Sequence, residues 1–273
     1  MMPKNLFYAG FGFVGGCAGS LLAELIRAGG RSSSWFFTVL LVACWSAVAA
    51  ATISLSLVWA GEKYNRRPKF PKEKAWASLW GGAFAGLIGG GIAQAIYSLN
   101  LADSKLMHFF FQSGCWGVAG ALIGWRLARF IPNMSISKAL LGGFTGGFVG
   151  GMAFLMTTIY VTEVFGRMIG LGILGASLAT CFVVAETLFR SASLGVIWAP
   201  NEITTITLGK TPITIGGGDD HVYISSLPQR SMSIIMENGV IICTKTDNNQ
   251  TTQLKDGSQI QVGKIMIKIT ATK

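Results

Sequence analysis

The sequence predicts an α-helical membrane bundle of about six transmembrane helices, arranged as three glycine-rich hairpin repeats, followed by a small all-β sandwich. Two observations carry this expectation. With 51% hydrophobic and 12% charged residues, the chain holds about half the charge of an ordinary soluble domain. Near residue 195 the composition turns from Gly, Ala, Leu and Phe to Ile, Thr, Asp and Lys, which divides a transmembrane domain, 1–195, from a β domain, 196–273.

A helix rises about 1.5 Å per residue, so about 20 apolar residues cross the hydrocarbon core with every backbone polar group bonded inside the segment. Six stretches qualify: 6–26, 35–60, 76–99, 106–127, 139–160 and 168–188. The first lacks a small-residue cleavage site and reads as a retained helix. The net charge of +10 would suggest nucleic acid on a soluble domain, but six cations, Lys63, Arg66, Arg67, Lys69, Lys72 and Lys74, share one short loop between spans. That placement is a topology signal. The second and fourth loops carry nine basic residues against four in the first, third and fifth, so both termini are expected on the cytoplasmic side of the membrane.

Sliding the third span 61 residues onto the fifth places Gly81, Gly82, Gly86, Gly89 and Gly90 on Gly142, Gly143, Gly147, Gly150 and Gly151. The first span keeps Gly12, Gly15 and Gly16, in a Phe-Val-Gly-Gly phrase that returns at Phe148 to Gly151. Each unit holds two spans, so the copies are parallel repeats. Small residues at four-residue spacing let helices approach closely where lipid supplies no hydrophobic force between them, so these glycines are expected to pack helices as a glycine zipper.

From residue 202 the pattern changes to short β-branched runs between Gly, Asp, Asn and Pro. It predicts strands at 203–208, 213–215, 222–224, 232–236, 240–245, 259–262 and 265–270, with a turn at 254–257. That number of short strands suggests an antiparallel sandwich.

Several motifs dissolve in context. Gly10, Gly12 and Gly15 spell the dinucleotide fingerprint but lie inside a span, where no strand turns into a helix. Gly209-Lys210-Thr211 lacks the first glycine of a phosphate loop, and Asp219-Asp220-His221 reads as turn chemistry. Four cysteines, Cys17, Cys44, Cys115 and Cys181, stand singly in apolar spans and Cys243 in the β domain, without disulfide or metal spacing. No cofactor or metal is expected. Ionisable residues in or beside the spans are Glu24, His108, Glu163, Arg167, Glu186 and Arg190. Glu163 with Arg167, and Glu186 with Arg190, are expected to pair along a continuous helix; His108 enters a Phe-rich helix start. No set of residues suits acid-base or metal catalysis, and no enzyme is expected.

The glycine-rich hairpins, a last helix ending at 186–190, a strand with Trp198, a turn, and Ile213-Thr214-Ile215-Gly216 together resemble bacterial multi-pass membrane proteins with a cytosolic forkhead-associated (FHA) domain. Leu208, the I-x-I-G of 213–216 and the L-x-D-G-x-x-I-x-V-G of 254–263 match that family's framework. The resemblance implies an Arg directly after the first of these glycines and a Ser and His on following loops, for phosphothreonine. Here Gly217 stands in the Arg position and 229–232 supplies no His. Phosphate recognition depends on such an Arg, so the resemblance implies a docking module without its phosphothreonine clamp. The candidate docking surface is Lys210, Asp219, Asp220, His221, Arg230, Ser231, Asn248 and Asn249.

The expected function is a non-enzymatic membrane scaffold presenting this domain for protein–protein interaction; the alternative is a transporter or channel subunit regulated by it. Expected partners are membrane lipid and other membrane or cytosolic proteins, a second copy of the chain among them. Nucleic acid is not expected.

Overall fold

The computed structural model describes residues 2–28, 34–99, 104–161, 163–200, 202–247, 250–263 and 265–271. Among these residues six long helices form in the expected places: α1 (Lys4–Ala28), α2 (Trp35–Tyr64), α3 (Lys72–Ser98), α4 (Lys105–Leu127), α5 (Ile136–Tyr160) and α6 (Glu163–Leu188). All six are long and apolar enough to cross a membrane. Several outrun the apolar stretch that announces them. α2 continues past Ala60 through Glu62 and Lys63, because helix geometry extends into the interfacial layer where charge is cheap.

Each helix packs against its neighbour in sequence, and α6 returns to pack against α1. The six therefore form a closed ring, with α2, α4 and α6 meeting at the axis. Ala50, Ile53, Ile123, Leu171, Leu174 and Leu178 fill that axis, leaving a void of only about 20 Å³. The outer surface is apolar, with Trp59, Trp76 and Trp80 exposed near one end and Trp35 and Tyr160 at the other. Amphipathic rings at both ends suit the two membrane–water interfaces.

Glycine lets the ring close. A Cβ on Gly12 would stand 2.3 Å from the carbonyl oxygen of Gly175, and one on Gly16 2.0 Å from that of Leu171, so α1 and α6 meet backbone to backbone. Gly15 faces Ser56 on α2. On α3, Gly82, Gly86 and Gly90 lie against α2 at Ala50 and Ser46, while Gly81 and Gly89 face Arg126 and Ala119 of α4. On α5, Gly143, Gly147 and Gly151 meet α4 at Gly120 and Trp116, while Gly142 and Gly150 meet α6 at Ala185 and Leu174.

Among its described residues the C-terminal region holds nine strands: β1 (Ala192–Ala199), β2 (Glu202–Leu208), β3 (Ile213–Gly216), β4 (Val222–Tyr223), β5 (Met232–Glu237), β6 (Val240–Lys245), β7 (Gln250–Leu254), β8 (Gln259–Val262) and β9 (Ile265–Ala271). They build a four-stranded sheet in the order β2-β1-β9-β8 and a five-stranded sheet in the order β4-β3-β5-β6-β7. Pairing is antiparallel except between β3 and the two-residue β4, which run parallel. Alternate residues of each sheet point inward. Leu194, Val196, Ile267 and Ile269 from the first meet Ile213, Ile215, Ile234 and Cys243 from the second.

The glycine seams generate a paired prediction. Gly16→Ala drives a methyl into the Leu171 carbonyl and should destabilise the detergent-solubilised protein by about 1–3 kcal/mol. Gly10→Ala, with nothing within 4 Å of its Cβ, should be neutral or gain up to about 1 kcal/mol of helix propensity. Denaturation in mixed micelles, followed by circular dichroism, separates the two.

Candidate functional site at the junction of bundle and β domain

The most concentrated polar chemistry lies where the β domain meets the bundle. α1 begins and α6 ends here, and the loops α2–α3 and α4–α5 turn here, so the basic residues read from the sequence converge on one end. Their acidic partners come from α2, α6 and β2.

Glu186, on the last turns of α6, is 6% exposed. Lys4 of α1 bonds both its carboxylate oxygens, at 3.0 and 2.8 Å, and the Thr207 hydroxyl of β2 donates to it at 3.0 Å. The Lys4 ammonium also sits 5.8 and 5.4 Å from the ring centroids of Tyr8 and Tyr64. Glu62 of α2, 7% exposed, is held by Arg67 at 2.9 Å and Lys74 at 2.8 Å. A buried carboxylate needs this degree of pairing to stay charged.

Three further contacts fix the β domain. Asn133, with φ of 61°, accepts the Thr211 N–H at 2.7 Å and donates to the Thr207 and Thr211 carbonyls at 3.2 and 3.0 Å. Thr204 takes the Trp198 indole N–H at 2.9 Å and donates to the Tyr64 carbonyl at 3.4 Å. Arg66 pairs with Glu202 and lies 5.1 Å from the Trp198 ring centroid.

Between these contacts lies a cavity of about 470 Å³, walled by Lys4, Glu62, Arg67, Lys74, Arg129, Glu186 and His221 and floored by Leu57, Val58 and Phe182. Arg129, in a short turn at Ala128–Phe130 after α4, has no acidic partner among the described residues; its guanidinium lies 5.0 Å from the Trp125 ring centroid. The Arg67 Nε is buried without a hydrogen-bond partner.

His221 reaches this cavity from the loop after β3. Its Nδ1 accepts the Thr214 N–H at 3.2 Å, so that nitrogen carries no proton. Burial, then the cations Arg67 and Lys74, hold its imidazole below the ordinary histidine value, against an opposing pull from Asp220 and Glu62.

The other candidate docking residues divide. Lys210, Asp219 and Arg230 are exposed, and Ser231 donates to the Pro228 carbonyl at 2.7 Å. Asp220, expected at the surface, is 3% exposed. Its carboxylate accepts the Arg230 N–H at 2.6 Å, bracing a left-handed backbone at φ of 54°. Asn248 and Asn249 lie outside the described residues.

One expected ion pair, Glu186 with Arg190, is replaced by another. α6 ends at Leu188, so Arg190 is not on the helix with Glu186, and Glu186 turns to Lys4. At the opposite end of the bundle Arg167 bonds Glu24 of α1 at 2.6 and 3.1 Å; the Glu163 side chain lies outside the described residues. His108, also at that end, stacks edge-on to Tyr97 with centroids 5.9 Å apart. Among the described residues no three of His, Cys, Asp and Glu gather as a metal site. Sequence reasoning missed Lys4, Glu62, Asn133, Thr204 and Thr207. Glu62 was legible as one of two acids, with Glu73, beside six cations, and Asn133 as the turn residue after Pro132.

The architecture defines a class, a six-helix polytopic bundle carrying a two-sheet β domain on one end. Comparison with protein families, with curated proteins and with solved structures returns no match.

Two predictions follow from the junction. Glu186→Gln removes the charge that Lys4 and Thr207 address and should weaken docking by about 1–3 kcal/mol, read as faster amide exchange in β2 with β5 and β6 unchanged. His221 binds its proton less readily folded than unfolded, so its contribution is present above the unfolded value of about 6.5 and is lost as pH falls through the folded value. The thermal midpoint should therefore drop more between pH 7.5 and 5.5 in the wild type than in His221→Gln.

Proposed function

We propose that this chain is a non-enzymatic membrane scaffold whose bundle holds a cytosolic, FHA-like docking domain in a fixed orientation. The single observation that carries this reading is the junction itself. Glu186, Asn133 and Thr204 each make a hydrogen bond that crosses from one part to the other, so the β domain is presented rather than tethered.

Other features support it. The glycines of α1, α3 and α5 meet their flanking helices at equivalent positions, which favours three copies of one hairpin. The basic loops and the β domain share one end of the bundle, which favours cytoplasmic termini in a bacterial inner membrane. Two facing sheets are consistent with an FHA-like fold, and Gly217 in the place of the clamping Arg favours docking by exposed loops such as Lys210, Asp219 and Arg230 over phosphothreonine reading. The filled axis weighs against a solute path.

The test compares full-length protein with a chain ending at Phe189; a cut at 196 would split β1, an interior strand of its sheet. A specific partner should co-purify with the full chain alone, and liposomes containing either should leak no faster than protein-free ones. Equal retention by both chains would remove the docking role, and solute flux through the full chain would restore the transport reading.

A further inference from the structure

The junction cavity carries more positive charge than its own carboxylates neutralise. Lys4 is matched by Glu186, and Arg67 and Lys74 share the single charge of Glu62. Arg129 adds a fourth cation with no acid opposite it among the described residues. Four cations therefore face two acids across the lining, a surplus of two positive charges at a pocket whose rim opens to solvent at Arg129. Arg67 spends one terminal nitrogen on both oxygens of Glu62, at 2.9 Å each, and its Nε is buried without a partner.

The shape narrows the occupant. At about 470 Å³ the cavity has the size of a small-molecule site rather than of a bare ion. Its charged rim is at the end of the bundle, but Leu57 lies seven residues before the end of α2 and Phe182 six before the end of α6, so the floor reaches about 10 Å into the helices. A dianion with an apolar or neutral substituent satisfies both ends. Phosphate monoesters carry close to two charges near neutral pH and accept from Arg and Lys together.

We propose that this cavity binds a phosphate monoester, with the phosphate between Arg129, Arg67 and Lys74 and its substituent directed toward Leu57 and Phe182. The group comes from one of two sources, a membrane lipid headgroup such as phosphatidic acid or a soluble phosphate ester. Because the walls come from both the bundle and the β domain, the ligand fastens one to the other. This site stands independently of what the β domain docks.

The two histidines of the chain provide the readout. His221 is in the cavity wall and His108 at the far end of the bundle. Full-length protein with labelled histidine is placed in phosphatidylcholine nanodiscs, and imidazole signals are followed by NMR against pH. One arm adds glycerol 3-phosphate; the other replaces part of the lipid with phosphatidic acid. An anion beside Arg67 and Lys74 should move the His221 titration to higher pH and leave His108 in place. A response to the soluble ester alone assigns the free phosphate, to phosphatidic acid alone the headgroup, and to both the shared chemistry without selection for a tail.

Arg129→Gln breaks no ion pair among the described residues and should weaken the response about tenfold; Lys74→Gln, which leaves Glu62 to Arg67, should do the same if the first variant fails to fold. The proposal is overturned if neither arm shifts His221, if His108 shifts equally, or if the folded variants respond as the wild type does.

Discussion

The contact on which the rest of the molecule depends is the meeting of α1 with α6. Five of the six helix contacts in the ring join neighbours along the chain, which short loops bring together at little entropic cost. The sixth joins helices separated by most of the membrane domain. It is made by backbone touching backbone at Gly12 and Gly175, and by ion pairs at both ends, Lys4 with Glu186 and Glu24 with Arg167. Dispersion between closely approaching helices supplies attraction that lipid does not. The ion pairs add register, because each is made only when the helices are level.

That closure also sets the junction. Once α1 and α6 are aligned, Lys4 and Glu186 are side by side, and Glu186 can receive Thr207 of β2. Charges held at a membrane face cost desolvation, and each carboxylate here recovers it from partners on different elements. Glu62 joins the α2 end to the start of α3; Glu186 joins α1, α6 and β2. The same residues that orient the domain thus shape the cavity beside it.

The helices were legible because bilayer thickness imposes a length and an apolar composition that few other structures share. Most strands were legible through β-branched alternation, but β7 was not. Its sequence, Gln250 to Leu254, is almost wholly polar and exposed, an edge strand defined by its pairing to β6 rather than by any face it buries. β1 was visible only through Trp198, since its Ala192-Ser193-Leu194-Gly195 start continues the small-residue composition of α6. The junction was the least legible part. Lys4 and Glu186 are 182 positions apart, and local spacing suggested Arg190 instead, a pairing that the end of α6 at Leu188 forecloses. Asp220 looked like a surface acid because sequence does not reveal that the Arg230 amide needs an acceptor.

Only residues 189–191 separate the last turn of α6 from β1, and Lys138 grips the first of them by its carbonyl at 2.6 Å. So short a splice has no slack. The direction in which α6 ends therefore sets the direction of an interior strand, and with it the orientation of the whole four-stranded sheet.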